Sequence, residues 1–183
     1  MTLAGIELVY LVKDIGEKTS GYYASNIWGI NRNSLLFKLH HPTKPDIMLM
    51  VSSIGMWITD KKIDSIEPNK MLRRLRSDLL RAKLTKIEQI GTERIAYFTF
   101  TNFEKEFTLI VEFFGDGNII LCNGEKKILA LMHSIDVRHR QLRVGLDYVP
   151  PPEDGLDVLN FTKDSFRELF SSSGIGKTIG RGL

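Results

Sequence analysis

The residues best placed to do chemistry in this chain are basic. Between Lys70 and Arg94 stand Lys70, Arg73, Arg74, Arg76, Arg81, Lys83, Lys86 and Arg94 against Asp78, Glu88 and Glu93. That surplus of five exceeds the +3 of the whole chain. Arginine forks hold phosphate bidentately, and such contacts position a nucleic-acid backbone. A solvated helix face has the same composition, so spacing leaves both readings open. Arg138, His139, Arg140 and Arg143 make a second basic run. At the end of the first run, Glu93 and Arg94 are adjacent. The simpler expectation is a local ion pair, worth little at a surface. The alternative is an acid and a base presented on a loop to grip a ligand.

Other chemistries find less support. Gly115-Asp116-Gly117-Asn118 has loop residues between two apolar runs, but lacks the further oxygen ligands and closing glutamate of a calcium loop. Its residues suit a tight hairpin turn instead, as does Asn123-Gly124. Gly176-Lys177-Thr178 ends like a phosphate-binding loop, yet Ser171 stands where the earlier glycine belongs. His40, His41, His133 and His139 have no Cys or carboxylate set at zinc spacing beside them. No serine sits in a hydrolase elbow. These patterns predict no catalysis, no cofactor and no small-molecule substrate.

The elements that must position the basic residues follow from periodicity. Leu8, Leu11, Val12 and Ile15 recur at helical spacing, so a helix is expected over 6–18. Strands are expected over 22–30, 34–40, 47–52 and 56–59, then over 84–90, 94–101, 107–114, 118–122 and 128–132. Between the two series a helix over 68–82 has Met71, Leu72, Leu75 and Leu79 on one arc and Lys70, Arg73, Arg74 and Arg81 on the other. Pro150-Pro151-Pro152 gives a stiff connector and the clearest boundary, with a short helix expected over 164–170. The expected domains are therefore 1–150 and the start of a second over 151–183, cut off at Leu183. A single cysteine, no signal-peptide pattern and no membrane-length apolar run lead to the expectation of a cytoplasmic protein without a membrane partner.

Three segments in this order carry a resemblance. They are Lys83-Leu84-Thr85-Lys86-Ile87-Glu88-Gln89-Ile90-Gly91-Thr92-Glu93-Arg94-Ile95, then Glu112 through Leu121 with its Gly-Asn-Ile-Ile-Leu hairpin, then Arg143 through Pro152 with its Gly-x-x-Tyr-x-Pro-Pro exit. With the preceding helix, they resemble the amino-terminal domain of the NFACT family, which includes proteins called fibronectin-binding protein A and ribosome quality-control factors. The resemblance covers about residues 1–150. The remainder resembles the opening of that family's helix-hairpin-helix domain, with Gly174-Ile175-Gly176-Lys177 as its hairpin.

The resemblance implies an α+β fold: an antiparallel β-sandwich flanked by helices, similar to the amino-terminal domain of formamidopyrimidine-DNA glycosylases. It implies binding to the large ribosomal subunit carrying a stranded peptidyl-tRNA. It also implies recruitment of tRNA, commonly alanyl-tRNA in prokaryotes, for tailing without mRNA. The family's acidic residue in the first helix falls on Glu7, and its Asp-Arg pair falls on Glu93 and Arg94. Each acid here is one methylene longer. Arg73, Arg74 and Arg81 would lean on phosphate. Where the family often has Arg-x-His, this chain reads Gly55-Met56-Trp57. Trp57 then either stacks on a base or, as the simpler expectation, lies in the core. Two rival readings follow from the same resemblance. A DNA glycosylase would need an amino-terminal Pro-Glu, and no proline precedes Pro42. A surface adhesin conflicts with the absence of a signal-peptide pattern.

Overall fold

The computed structural model describes residues 4–61, 63–91, 93–138, 140–152 and 162–164. Helix α1 spans Gly5–Thr19, and strands β1 (Tyr23–Asn31), β2 (Ser34–His41), β3 (Lys44–Ser52) and β4 (Gly55–Ile58) follow. Helix α2 spans Lys70–Leu79. Then come β5 (Lys83–Gln89), β6 (Ile95–Asn102), β7 (Lys105–Glu112), β8 (Asn118–Asn123), β9 (Ile128–Leu131), β10 (Ile135–Val137) and β11 (Arg140–Leu142). The fold is α+β, with antiparallel strands and two helices against them. After Asp164 the rest of the helix expected over 164–170, the Gly174–Lys177 hairpin and the Gly176-Lys177-Thr178 sequence lie outside the described residues, as does His139.

Two antiparallel meanders, β1 to β4 and β5 to β9, belong to one sheet in the order β4-β3-β2-β1-β5-β6-β7-β8-β9. Where the resemblance implied a sandwich, the strands form one continuous sheet, its two meanders joined where β1 meets β5. That seam is narrow, with Tyr23 opposite Lys83. Its backbone bonds run from Leu84 N to Tyr22 O at 2.7 Å and from Ala24 N to Ala82 O at 2.9 Å. Both meanders turn apolar faces into one core, where the rings of Phe37 on β2 and Phe100 on β6 stack 6.1 Å apart. Leu8, Val12 and Ile15 of α1 and Met71, Leu72, Leu75 and Leu79 of α2 close this core, as the helical spacing predicted.

The second helix is shorter than its expected span. Asn69 caps it, its side-chain oxygen accepting from Leu72 N at 2.8 Å, so Pro68 stands outside the helix. At the other end Arg81 turns left-handed, with φ +68, and its N–H goes to Ala24 O on β1. The helix stops so that the chain can enter the seam.

Strands β10 and β11 were not legible, because three-residue strands carry too little periodicity. They help to cover the outer face of β6 to β9. There Ile95, Ile110, Ile120, Cys122 and Ile128 pack with Leu142 and Tyr148 in a second core. Strand β8 is thus buried on both faces, which explains its unbroken apolar run Ile119 to Cys122. Within this layer lies a buried ion pair. Arg140 donates to both carboxylate oxygens of Glu112, and the Tyr148 hydroxyl donates to Glu112 Oε1 at 2.8 Å. Arg140 Nε also donates to Val149 O at 2.7 Å. These bonds satisfy a pair that would otherwise be costly to bury.

The Gly115–Asn118 loop is a structural hairpin. Gly117 has φ +70, and a β-carbon there would lie 2.2 Å from Ser53 Cβ on the β3–β4 turn. The Asn118 amide is likewise committed, donating to His133 O at 2.8 Å and accepting from His133 N at 3.1 Å. Gly117→Ala is expected to destabilise the fold by about 2–4 kcal/mol, combining left-handed strain with overpacking. Arg140→Ala strands the Glu112 carboxylate and is expected to cost about 3–5 kcal/mol. Urea midpoints of the two variants test both; an unchanged midpoint for Arg140→Ala would show the pair to be structurally idle.

Candidate functional site

Helix α1 runs antiparallel to β5, and hydrogen bonds fix it at both ends. Ser20 Oγ donates to Thr85 O at 3.1 Å. At the other end, the Gln89 side-chain amide donates to Gly5 O at 3.0 Å and to Glu93 O at 2.7 Å. One side chain therefore ties the first turn of α1 to the loop before β6. Glu7, Glu93 and Arg94 are brought to the same end of β5 as a result. Gln89 Oε1 is buried there without a hydrogen-bond partner among the described residues. An unmet buried acceptor is costly and invites a donor from outside.

Each residue of this group has a definable state. Glu7 is exposed, and its carboxylate accepts from Ala4 N at 2.8 Å, supporting the start of α1. That is a structural duty the sequence reading did not assign. Glu93 and Arg94 are both half-buried. The local ion pair expected between them does not form: the Arg94 side chain makes no hydrogen bond or ion pair among the described residues. Its backbone is nevertheless held, since Phe113 N donates to Arg94 O at 2.8 Å. A fixed backbone with an uncommitted guanidinium is a group ready for an external acceptor.

Arg73, Arg74 and Arg81 do not join this group. Arg81 precedes β5 and Arg94 follows it, so the seven-residue strand separates them by about 23 Å. Arg73 and Arg81 are exposed, while Arg74 pairs with Asp78 one helical turn on. Arg76 is not a surface charge either, because its Nε donates to Ile27 O at 2.8 Å. The second basic run needs a larger correction. Arg140 is buried against Glu112 and Arg143 pairs with Asp136, so only Arg138 of the described members is exposed and unpaired. Sequence spacing cannot distinguish an arginine that serves a buried carboxylate from one that faces solvent.

Trp57 also departs from expectation. It lies on the sheet-edge strand β4 opposite Met50 and is 42% exposed, not in the core. It borders a shallow depression with Asp46, Met48, Thr59 and Lys61. The edge position explains the exposure, since β4 has a neighbour on one side only.

A cavity of about 450 Å³ on the outer face of β5 to β8 had no sequence signal. Glu93, Tyr97, Cys122, Lys126, Tyr148 and Pro151 are among its lining residues. They come from distant parts of the chain, so no local motif could reveal it. Burial raises the hydroxyl pKa of Tyr97, and burial followed by the Glu112 charge raises that of Tyr148. Burial likewise pushes the Cys122 thiol up to about 12. At neutral pH it is therefore a protonated, inert thiol.

The shift of Cys122 has a definite sign. Below the ordinary value of 9.0 both folded and unfolded chains keep the proton. Between 9.0 and about 12 only the folded chain does, so this contribution to stability is lost as pH rises through that window. Cys122→Ala should flatten the alkaline slope of stability, measured by urea unfolding at several pH values. Near neutral pH a thiol reagent should modify wild type only as fast as the chain opens; rapid modification of the native protein would contradict the burial.

The fold and sequence have clear relatives. Ribosome quality control complex subunit 2 of Saccharomyces cerevisiae is 28% identical over 137 residues, covering 73% of this chain and 13% of that protein. The archaeal Rqc2 homolog aRqcH of Methanocaldococcus jannaschii is 32% identical over 141 residues, covering 74% of this chain and 21% of its own length. The chain thus spans about a fifth or less of these relatives. Among solved structures, the N-terminal domain of fibronectin-binding protein PavA from Streptococcus pneumoniae superposes with a TM-score of 0.83 at 21% identity, covering 94% of this chain and 70% of that one. The N-terminal part of the fibronectin/fibrinogen-binding protein of Streptococcus suis gives 0.83 at 22%, covering 93% and 70%. These last two likenesses establish shared fold. The model of the NFACT N-terminal and middle domains matches residues 5–181, nearly the whole chain, and the protein is a member of the NFACT family.

Proposed function

We propose that this chain is a non-enzymatic, tRNA-binding module of a cytoplasmic ribosome quality-control factor. It binds the large ribosomal subunit beside a stranded peptidyl-tRNA and helps recruit tRNA, alanyl-tRNA being the first candidate, for tailing without mRNA. The relatives named as ribosome quality control proteins support the pathway. The observation that carries the residue assignment is the Gln89 clamp, with its donations to Gly5 O and Glu93 O. It sets Glu7, Glu93 and an uncommitted Arg94 at one end of the sheet.

The chemistry suits RNA. Arg94 can fork onto a phosphate or a base edge. Glu93, one residue away, can accept from an exocyclic amine or a 2′-hydroxyl. An acid beside the arginine would repel a bare phosphate, so the two together favour a nucleotide whose base or sugar offers donors. Arg73 and Arg81 would add backbone attraction at a distance. The architecture that the resemblance shares with formamidopyrimidine-DNA glycosylases enters this reading as scaffold only, since the amino-terminal proline of that chemistry has no counterpart here.

The test is tRNA binding by this chain across a salt series, with Arg94→Ala beside wild type. Wild type should weaken steeply as salt rises, because phosphate contacts release counterions. Arg94→Ala should lose about tenfold in affinity with an unchanged melting temperature. Equal affinities, or a wild-type complex indifferent to salt, would remove Arg94 from the contact.

A further inference from the structure

At the end of β5 opposite Arg94, the fold exposes two aromatic rings among basic side chains. Phe103 sits in the two-residue turn Phe103-Glu104 that joins β6 to β7, where Asn102 faces Lys105. It is 98% exposed and held at φ +53. A bulky side chain rarely takes this left-handed conformation, and Gly, Asn or Asp is the usual choice for such turns. Nothing among the described residues accounts for a phenyl ring there: it is left in solvent on a left-handed backbone. Strain of this kind, kept without a packing return, marks positions retained for another purpose.

The second ring is Tyr23 on β1. Its neighbour across the seam is Lys83, whose ammonium lies 6.0 Å from the ring centroid. Lys83 in turn faces Thr101 on β6, two residues before Phe103. Two strand spacings across and two residues along place Tyr23 and Phe103 roughly 12 Å apart. Arg81, exposed and also left-handed, enters this surface from the end of α2, and Lys105 flanks Phe103. The acids nearby are Glu104 and Glu106 on the same hairpin. Arg81, Lys83 and Lys105 outnumber them by one.

We infer that this surface is a second nucleic-acid contact, a stacking platform for unpaired RNA on which Phe103 and Tyr23 carry bases while Arg81, Lys83 and Lys105 track the phosphates. The inference rests on the RNA-binding reading above for its class of ligand, but uses none of Glu7, Glu93 and Arg94. Exposed rings interleaved with cations are what sequence-tolerant binding of single strands requires, since every base has a π-face. The modest positive surplus calls for a shallower salt dependence than a phosphate-dominated site would have. A duplex, whose bases are already stacked on one another, has no face to offer the rings.

The test uses the 183-residue chain and a labelled oligouridine of about ten nucleotides, read by fluorescence anisotropy. Phe103→Gly removes the ring and relieves the turn, so its melting temperature should not fall. Its affinity for oligouridine should fall about tenfold, while Phe103→Trp binds within about twofold of wild type. A base-paired duplex should show no dependence on residue 103. The platform is refuted if wild type does not bind oligouridine, or if Phe103→Gly binds it as wild type does. tRNA titrated against Arg94→Ala reports on the other end of β5. A loss there with no effect of Phe103→Gly on oligouridine would leave the proposed function standing and overturn only the platform. The reverse pattern would keep the platform and remove the Arg94 site.

Discussion

The backbone bonds between Tyr22–Ala24 and Ala82–Leu84 decide the rest of the molecule. Without them, β1 and β5 would each present an unpaired edge in the middle of the protein, exposing donors and acceptors that must be satisfied. With them, two local meanders become one sheet whose halves close on a shared core. The seam is short because both chains must leave it at once: Gly21 N bonds Leu84 O as α1 ends, and Arg81 N bonds Ala24 O as α2 ends. The left-handed Arg81 is the conformational cost of that junction. Both helices are thereby anchored at the same end of β5, with α1 directed back along the strand.

This geometry gives β5 two structurally distinct ends. At one, α1 returns its first turn to the loop before β6, and Gln89 fastens the two. At the other, the seam itself lays Tyr23 beside Lys83. The strand acts as a rigid spacer of about 23 Å between them. A basic helix that looks like a single patch in sequence is therefore divided. Arg76 stabilises β1, Arg74 is neutralised by Asp78, and Arg73 and Arg81 face solvent. Charge counts alone would have credited all of them to binding.

The outer layer makes a similar point about apparent function. The Arg138–Arg143 run reads as a phosphate-binding segment, yet its central arginine is what allows Glu112 to be buried in β7. Tyr148 completes the site from a segment that has already left the sheet. The Gly-x-x-Tyr-x-Pro-Pro signature is explained by this role: the tyrosine hydroxyl reaches the carboxylate, and Val149 O receives Arg140. Much of what looks like a recognition motif is packing.

The sequence by itself determined the elements whose signals are local. Both helices, nine of the strands and the hairpin nature of Gly115–Asn118 follow from periodicity and turn chemistry, to within a few residues at the ends. The ordered segments around Glu93, Asn118 and Tyr148 were enough to indicate the family. Tertiary structure decided everything that depends on residues far apart in the chain. It decided that Trp57 is on an edge, that Arg140 is buried, that Glu93 and Arg94 are not paired, and that Gly117 must fit against Ser53. It also separated Arg81 from Arg94 and set Phe103 in line with Tyr23. The physical reason is common to all of these. Burial, pairing and exposure are properties of the neighbours a side chain meets, and in a sheet those neighbours are set by register and seam, which local periodicity does not encode.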